Sequence, residues 1–170
     1  MRGPTFFFAV VFVALITGCA GYQLGPTNGA AAGEKSIQIN PFQNRTLEPR
    51  LSEGITSALR KRLQQDGTYR LETHGGADIV VNGIITKFDR GGLSFQPRDV
   101  LTPRDYTLAI TAQIVAIERS TGKTNLNRLV YGQTTIRVGA DLASAERQAV
   151  PLMAADLAKN ATAMLVDGTW

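Results

Sequence analysis

Eleven consecutive apolar residues, Phe6 through Ile16, lead into Thr17-Gly18-Cys19, and Cys19 is the one cysteine in a chain of 170 residues. No other stretch constrains the chain as much. A helix that crosses a bilayer needs about 20 apolar residues, so this run is too short to span. A basic residue ahead of it (Arg2), a short apolar middle and small residues at its end have the form of a secretory signal, which stands outside the fold. A lone cysteine closes no internal disulfide and makes no thiolate metal site. The rest of the chain must therefore hold together by burying apolar surface.

The tetrapeptide Ile16-Thr17-Gly18-Cys19 resembles the lipobox of bacterial lipoproteins: an aliphatic residue, two small residues, then cysteine. The resemblance implies cleavage between Gly18 and Cys19, a diacylglyceryl group on the Cys19 thiol and usually an acyl chain, such as palmitate, on the new amine. Two or three chains, at about 0.8 kcal/mol per buried methylene, hold a domain firmly on a leaflet where one chain holds it marginally. Ala20 and Gly21 follow Cys19, without the aspartate that tends to retain such proteins in the inner membrane. By resemblance this points to the outer membrane, with the domain on its periplasmic side.

Cleavage there removes 18 of the 170 residues and leaves 152, enough for one domain that buries about 68–70% of its unfolded surface. The expected organisation is a signal peptide at 1–18, the lipidated cysteine and a Gly/Ala-rich tether at 19–34, and a single domain at 35–170. The whole chain carries 18 Lys and Arg against 14 Asp and Glu. The two signs are interleaved, with no block of like charge of the kind that marks nucleic-acid-binding tails, so no nucleic-acid partner is expected.

Within the domain, Ile37 and Ile39 alternate with polar residues, the period of a half-buried strand, and Pro41 limits its continuation. Thr46 suits a helix N-cap and Pro49 a first turn. Leu51, Ile55, Ala58, Leu59 and Leu63 then form one helical stripe, ended by Asp66-Gly67. Arg60-Lys61-Arg62 in the last turns of that helix reads either as an anion-binding patch or as cations favourably placed at a helix C-terminus. Strands are predicted at 69–73, 77–88, 106–117 and 125–138, with Ser120-Thr121-Gly122-Lys123 as a hairpin turn. A second helix spans about 142–166, with a kink or restart expected at Pro151. The order β-α-β-β-β-β-α predicts an α+β fold: a mostly antiparallel or mixed sheet of four to five strands with two helices packed on one face.

The parts of an enzyme are missing. His74, the only histidine, stands beside Gly75-Gly76 in a predicted turn, so zinc sites and Ser-His or Cys-His nucleophiles lack members. No phosphate loop, nucleophile elbow or convergent carboxylate pair occurs. The expectation is a non-enzyme with no metal and no cofactor beyond the covalent lipid on Cys19. One segment resists assignment to the core: Asp89 to Arg104 (DRGGLSFQPRDVLTPR), read as a sixteen-residue connection with two Gly and two Pro. It sets Arg90, Arg98 and Arg104 beside Leu93, Phe95, Val100 and Leu101. Guanidinium groups suit phosphates, and apolar neighbours suit acyl chains or a partner wall. The competing reading is a solvated loop whose Asp89, Asp99 and Asp105 offset its arginines.

Along most of the mature length, the order of residues resembles the LPS-assembly lipoprotein family, LptE. The matching features are Cys19 with Gly21-Tyr22-Gln23-Leu24-Gly25, Ile39-Asn40-Pro41-Phe42-Gln43-Asn44-Arg45-Thr46, and the Leu51 to Leu63 stripe. They continue with Ala77-Asp78-Ile79-Val80-Val81-Asn82-Gly83, the hairpin, and the closing Asp156-Leu157-Ala158 helix that ends near Trp170. The resemblance implies two helices on a four-stranded sheet, and a protein that plugs and helps assemble the outer-membrane barrel LptD. It also implies binding of lipopolysaccharide and help in its delivery to the outer leaflet. Arg90, Arg98, Arg104 and Arg128 are the candidate lipopolysaccharide phosphate contacts, chosen by charge and position. The alternative is an outer-membrane lipoprotein that activates a peptidoglycan synthase or serves a secretion system. A tether of about fifteen residues would keep the domain near the membrane and favours the barrel partner.

Overall fold

The computed structural model describes residues 32–96, 99–138 and 141–167. The expected signal peptide with Gly18, Cys19, most of the expected tether, Arg98 and Trp170 lie outside the described residues. The elements are β1 (Ser36–Ile39), β2 (Gln43–Asn44), α1 (Leu51–Asp66), β3 (Arg70–Leu71), β4 (Ile79–Gln96), β5 (Asp99–Glu118), β6 (Thr124–Arg137) and α2 (Leu142–Val166). One six-stranded mixed sheet runs β3-β1-β4-β5-β6, with β2 also paired to β4. β1 lies parallel to β3 and β4, whereas β4, β5 and β6 form an antiparallel meander. The fold is therefore the expected α+β class, with one strand more than the sequence suggests.

The additional strand is β2, and its origin is local. Pro41 cannot donate to a ladder, so the chain leaves the sheet after Asn40 and re-enters beside β4 at Gln43. Between them Phe42 turns into the core and lies over Gly83, where a Cβ would stand only 2.2–2.4 Å from three ring carbons. Thr56 Oγ1 of α1 accepts from Phe42 N–H at 3.0 Å and Ser52 Oγ donates to Phe42 C=O. The interruption is thus filled by an aromatic ring and pinned by the first helix.

Helix α1 starts later than its sequence signals imply. Thr46 does not cap it; Thr46 N–H and hydroxyl donate to Asn44 Oδ1 at 2.9 and 2.8 Å, closing a side-chain turn ahead of Pro49. Arg50 then occupies the cap position with φ 72° and no side-chain cap. The far end follows expectation: Gly67, at φ 77°, donates to Leu63 C=O at 3.1 Å. Leu51, Ile55, Leu59 and Leu63 are fully buried, each worth about 1.5–3 kcal/mol against exposure.

Helix α2 is capped by Asp141, which accepts from Ala143 and Ser144 N–H, and it remains one helix through Pro151. It packs tightly against the sheet at Gly132 of β6. A Cβ there would stand 2.6 Å from Leu157 Cβ and 2.7 Å from both Leu157 N and Met153 O. At that distance α2 reaches round the edge of the sheet. Asp156 Oδ2 accepts from Gln133 N–H at 3.0 Å, and Asn160 Nδ2 donates to Tyr131 C=O at 2.8 Å. Both bonds satisfy outward backbone groups on an edge strand that would otherwise be open to pairing. The helices cover one face, where Leu108, Ile110, Ala112, Ile114 and Val130 are buried; the other face carries Thr107, Gln113, Leu129 and Tyr131 towards solvent.

Candidate functional site: the distal hairpin

The segment from Asp89 to Arg104 is not an irregular loop. Asp89, Arg90, Gly91 and Gly92 pair in register with Ala109, Leu108, Thr107 and Tyr106, and irregular pairings continue to Phe95↔Pro103 and Gln96↔Asp99. Gly91-Gly92, Pro97 and Pro103 look like breaks in the sequence. Pro103 pairs with Phe95 on the two-stranded ribbon, where its missing donor costs little, and the successive register shifts after Gly92 accommodate it. The last pairing of β6 is Arg137↔Asp105, so β4 and β5 outrun the third strand. Phe95, 48% exposed, lies just past that point, and Leu93, 60% exposed, just before it, between the Gly92↔Tyr106 and Ser94↔Asp105 pairs.

Asp105 fastens the base of this ribbon. Ser94 hydroxyl donates to its Oδ2, and Arg137 Nε donates to its Oδ1 at 2.9 Å. The hydrogen bond from Ser94, then the one from Arg137, hold the Asp105 carboxyl below the usual aspartate range. Arg137 was missed by sequence reasoning as a site residue. Strand alternation opposite Asp105 was the signal available for it.

Among the described residues, Arg90, Arg104 and Arg128 are not gathered into one site. Arg90 lies on the helix side of β4, clasped by Glu146 of α2 (Nη2 to Oε2 3.1 Å, with a second bond from Nε to Oε1) and by Glu48 at 3.1 Å. Its guanidinium also sits 5.0 Å from the Phe88 ring centroid. A phosphate would have to displace two carboxylates from it. Arg104 is exposed near the ribbon, its C=O accepting from Val138 N–H at 2.9 Å, with no ion-pair partner among the described residues. Arg128 is exposed opposite Ile114, about 30 Å along β6 from Arg137 by strand rise. The ribbon therefore combines Leu93 and Phe95 with Arg104 and the ion-paired Arg137: apolar side chains beside guanidinium groups.

Elsewhere the chemistry is sparse. His74 is exposed in its turn, its Nδ1 3.0 Å from Thr73 Oγ1. No group of three His, Cys, Asp or Glu among the described residues could hold a metal ion. No helix among them is long and apolar enough to cross a membrane.

The LptE family model, described as lipopolysaccharide-assembly, matches residues 34–165. No curated protein matches the chain. Among solved structures, the hypothetical protein CT253 from Chlamydia trachomatis superposes with a TM-score of 0.59 at 12% identity, covering 81% of this chain and 98% of that one. A putative lipoprotein from Caulobacter crescentus gives 0.52 at 10% identity over 74% of this chain and 88% of its own. A minor lipoprotein from Acinetobacter baumannii gives 0.52 at 12% identity over 78% and 93%. At such identities these likenesses establish the fold alone.

Proposed function

This chain belongs to the LptE family of lipopolysaccharide assembly, and from that premise we propose that it is a lipid-anchored outer-membrane lipoprotein that plugs and helps assemble the LptD barrel and assists lipopolysaccharide transport to the outer leaflet. The observation that carries this reading is the two-stranded ribbon beyond β6. It exposes Phe95, with Leu93, Arg104 and Arg137 at its base. A lone ribbon of this kind is marginal in water, so an exposed aromatic and leucine on one favour a partner that covers them. Guanidinium groups at its base suit lipid phosphates, and apolar side chains suit acyl chains or the inner wall of a barrel.

In this reading Cys19 carries the lipid that keeps the domain at the membrane, and Arg104 and Arg128 are the phosphate-contacting candidates that no internal carboxylate occupies. Arg90 contacts phosphate only after Glu48 and Glu146 release it. Arg98, the remaining candidate, lies outside the described residues.

The test is cross-linking in intact cells, detergent solubilisation and mass spectrometry of what co-purifies. A large outer-membrane barrel in near-equal amount is the expected result, and it should diminish in a Leu93→Ser/Phe95→Ser variant. Recovery of a penicillin-binding protein with no barrel would overturn the proposal in favour of synthase activation.

A further inference from the structure

β2 lies beside β4 only at Gln43↔Ile84 and Asn44↔Ile85, and Arg45 N–H closes that pairing on Ile85 C=O at 3.0 Å. The chain then turns away, with Thr46 N–H and hydroxyl on Asn44 Oδ1, and no further strand follows beside β4. From Lys87 to Gly92, β4 is regularly paired with β5 on one side and, among the described residues, unpaired on the other. Alternate residues of such an edge direct N–H and C=O groups outward. Between this edge and the 45–48 turn lies a groove of about 640 Å³, and Leu47 in its lining is fully exposed.

Five charged side chains line the groove, and their partners decide what it accepts. Lys87 pairs with Asp89 at 2.8 Å. Arg90 pairs with Glu48 at 3.1 Å and with Glu146, which stands outside the lining. Arg45 is the one of the five with no side-chain partner among the described residues. With Glu146 counted, three cations meet three carboxylates, so the groove has no net charge to attract a polyanion. Its unpaired backbone edge suits an extended polypeptide instead.

We infer that this edge of β4 pairs with an extended strand of the barrel partner before the barrel closes, an inference that rests on the reading of the partner proposed above. A closed barrel has no free strand edge, so a strand able to pair here belongs to an unfinished one. Main-chain hydrogen bonds supply the attachment and flanking side chains the selectivity. Barrel strands alternate apolar and polar residues. Leu47 covers an apolar side chain of the incoming strand, and Arg45 favours an acidic one beside it.

The first experiment adds a synthetic seven-residue peptide, alternating Val with Thr and carrying one Glu, to the full-length chain in detergent. With peptide at about ten times its Kd, alternate amides of residues 87–92 should exchange about tenfold more slowly, and those of 124–129 in β6 should not change. Methylating one alternate set of peptide nitrogens should weaken binding about tenfold, and methylating the other set less than about threefold. Leu47→Glu should weaken it about tenfold, and Leu152→Glu, exposed on α2, less than about threefold. Protection at 124–129 instead, or equal loss from the two methylated peptides, would overturn the edge. In intact cells, a photo-crosslinking residue at position 47 should capture the barrel chain soon after a pulse of label and lose it on chase. Capture that persists through the chase would overturn pairing with an unfinished barrel. A barrel recovered by general cross-linking but never from position 47 would overturn this inference alone. No barrel by either route would overturn the partner reading itself.

Discussion

Gly132→Ala should destabilise this protein far beyond the usual cost of one methyl group. The added Cβ would stand 2.6 Å from Leu157 Cβ and 2.7 Å from Leu157 N and Met153 O, where ordinary contact begins near 3.4 Å. Two of those three atoms are helix backbone, which no rotamer change can remove. Helix α2 must therefore lift by roughly 0.7 Å along its contact with β6. Such overpacking costs about 1–3 kcal/mol. Lifting the helix also weakens the bonds from Gln133 N–H to Asp156 and from Asn160 to Tyr131 C=O, each worth about 0.5–1.5 kcal/mol. The sum is about 3 kcal/mol, a large share of the roughly 5–15 kcal/mol that holds a domain together. Urea denaturation measures it directly, and a fall in melting temperature of about 6–12 °C should accompany it. A second substitution sharpens the test. Leu157→Ala keeps both the Cβ and the backbone atoms involved, so it should not rescue Gly132→Ala. A Gly132→Ala protein within about 0.5 kcal/mol of the parent would refute rigid contact between α2 and β6. Rescue by Leu157→Ala would refute the assignment of the clash to backbone.

Gly83→Ala is the counterpart in which the obstacle is a side chain, the Phe42 ring. It should cost about 1–3 kcal/mol by urea denaturation, with less than additive loss when combined with Phe42→Leu. Arg90→Met leaves Glu48 and Glu146 facing each other without their shared cation. It should lower stability by about 1–2 kcal/mol and speed amide exchange in residues 45–50, and Arg90→Lys should restore only part because it lacks the two-pronged fork. The carboxyls of Asp78, held low chiefly by the Ser36 hydroxyl, and Asp105, held low chiefly by Ser94, contribute stability above the unfolded aspartate pKa of about 3.9. That stability is lost as pH falls through their depressed folded values. Melting temperature should therefore drop below about pH 4, and Asp78→Asn or Asp105→Asn should flatten that acid limb. Leu93→Ser/Phe95→Ser removes exposed side chains and should leave the isolated domain within about 0.5 kcal/mol in the same urea assay.

Much of the fold is legible in the residues because the elements obey their own periods. The stripe Leu51, Ile55, Leu59 and Leu63 and the alternation Leu108, Ile110, Ala112 and Ile114 each describe one buried face, and each is buried. What escapes the sequence depends on partners far along the chain. The parallel pairing of Ile37 with Ile79 and the clasp of Arg90 by Glu48 and Glu146 join residues 42 or more positions apart. Local signals also mislead where two readings compete. Gly91-Gly92 and Pro103 mark breaks by composition, yet strands with one uncovered edge tolerate them, so the pairing extends where a loop was expected. Thr46 has the chemistry of a helix cap, but Asn44 takes its hydroxyl first. The candidate arginines were chosen by charge and position in the sequence. Charge does not say which guanidinium already has carboxylates, and Arg90 does.

The parallel strand β1 has a kinetic consequence. The β4-β5-β6 meander joins neighbours in sequence through short turns and closes small loops as it forms. β1 must cross 42 residues to reach β4, with α1 between them, and that closure is entropically slower. β1 is the first strand in chain order, yet it docks late. Refolding should therefore show protection of Ile110 and Val130 amides before that of Ile37, so the strand nearest the N-terminus would be the last to become taut.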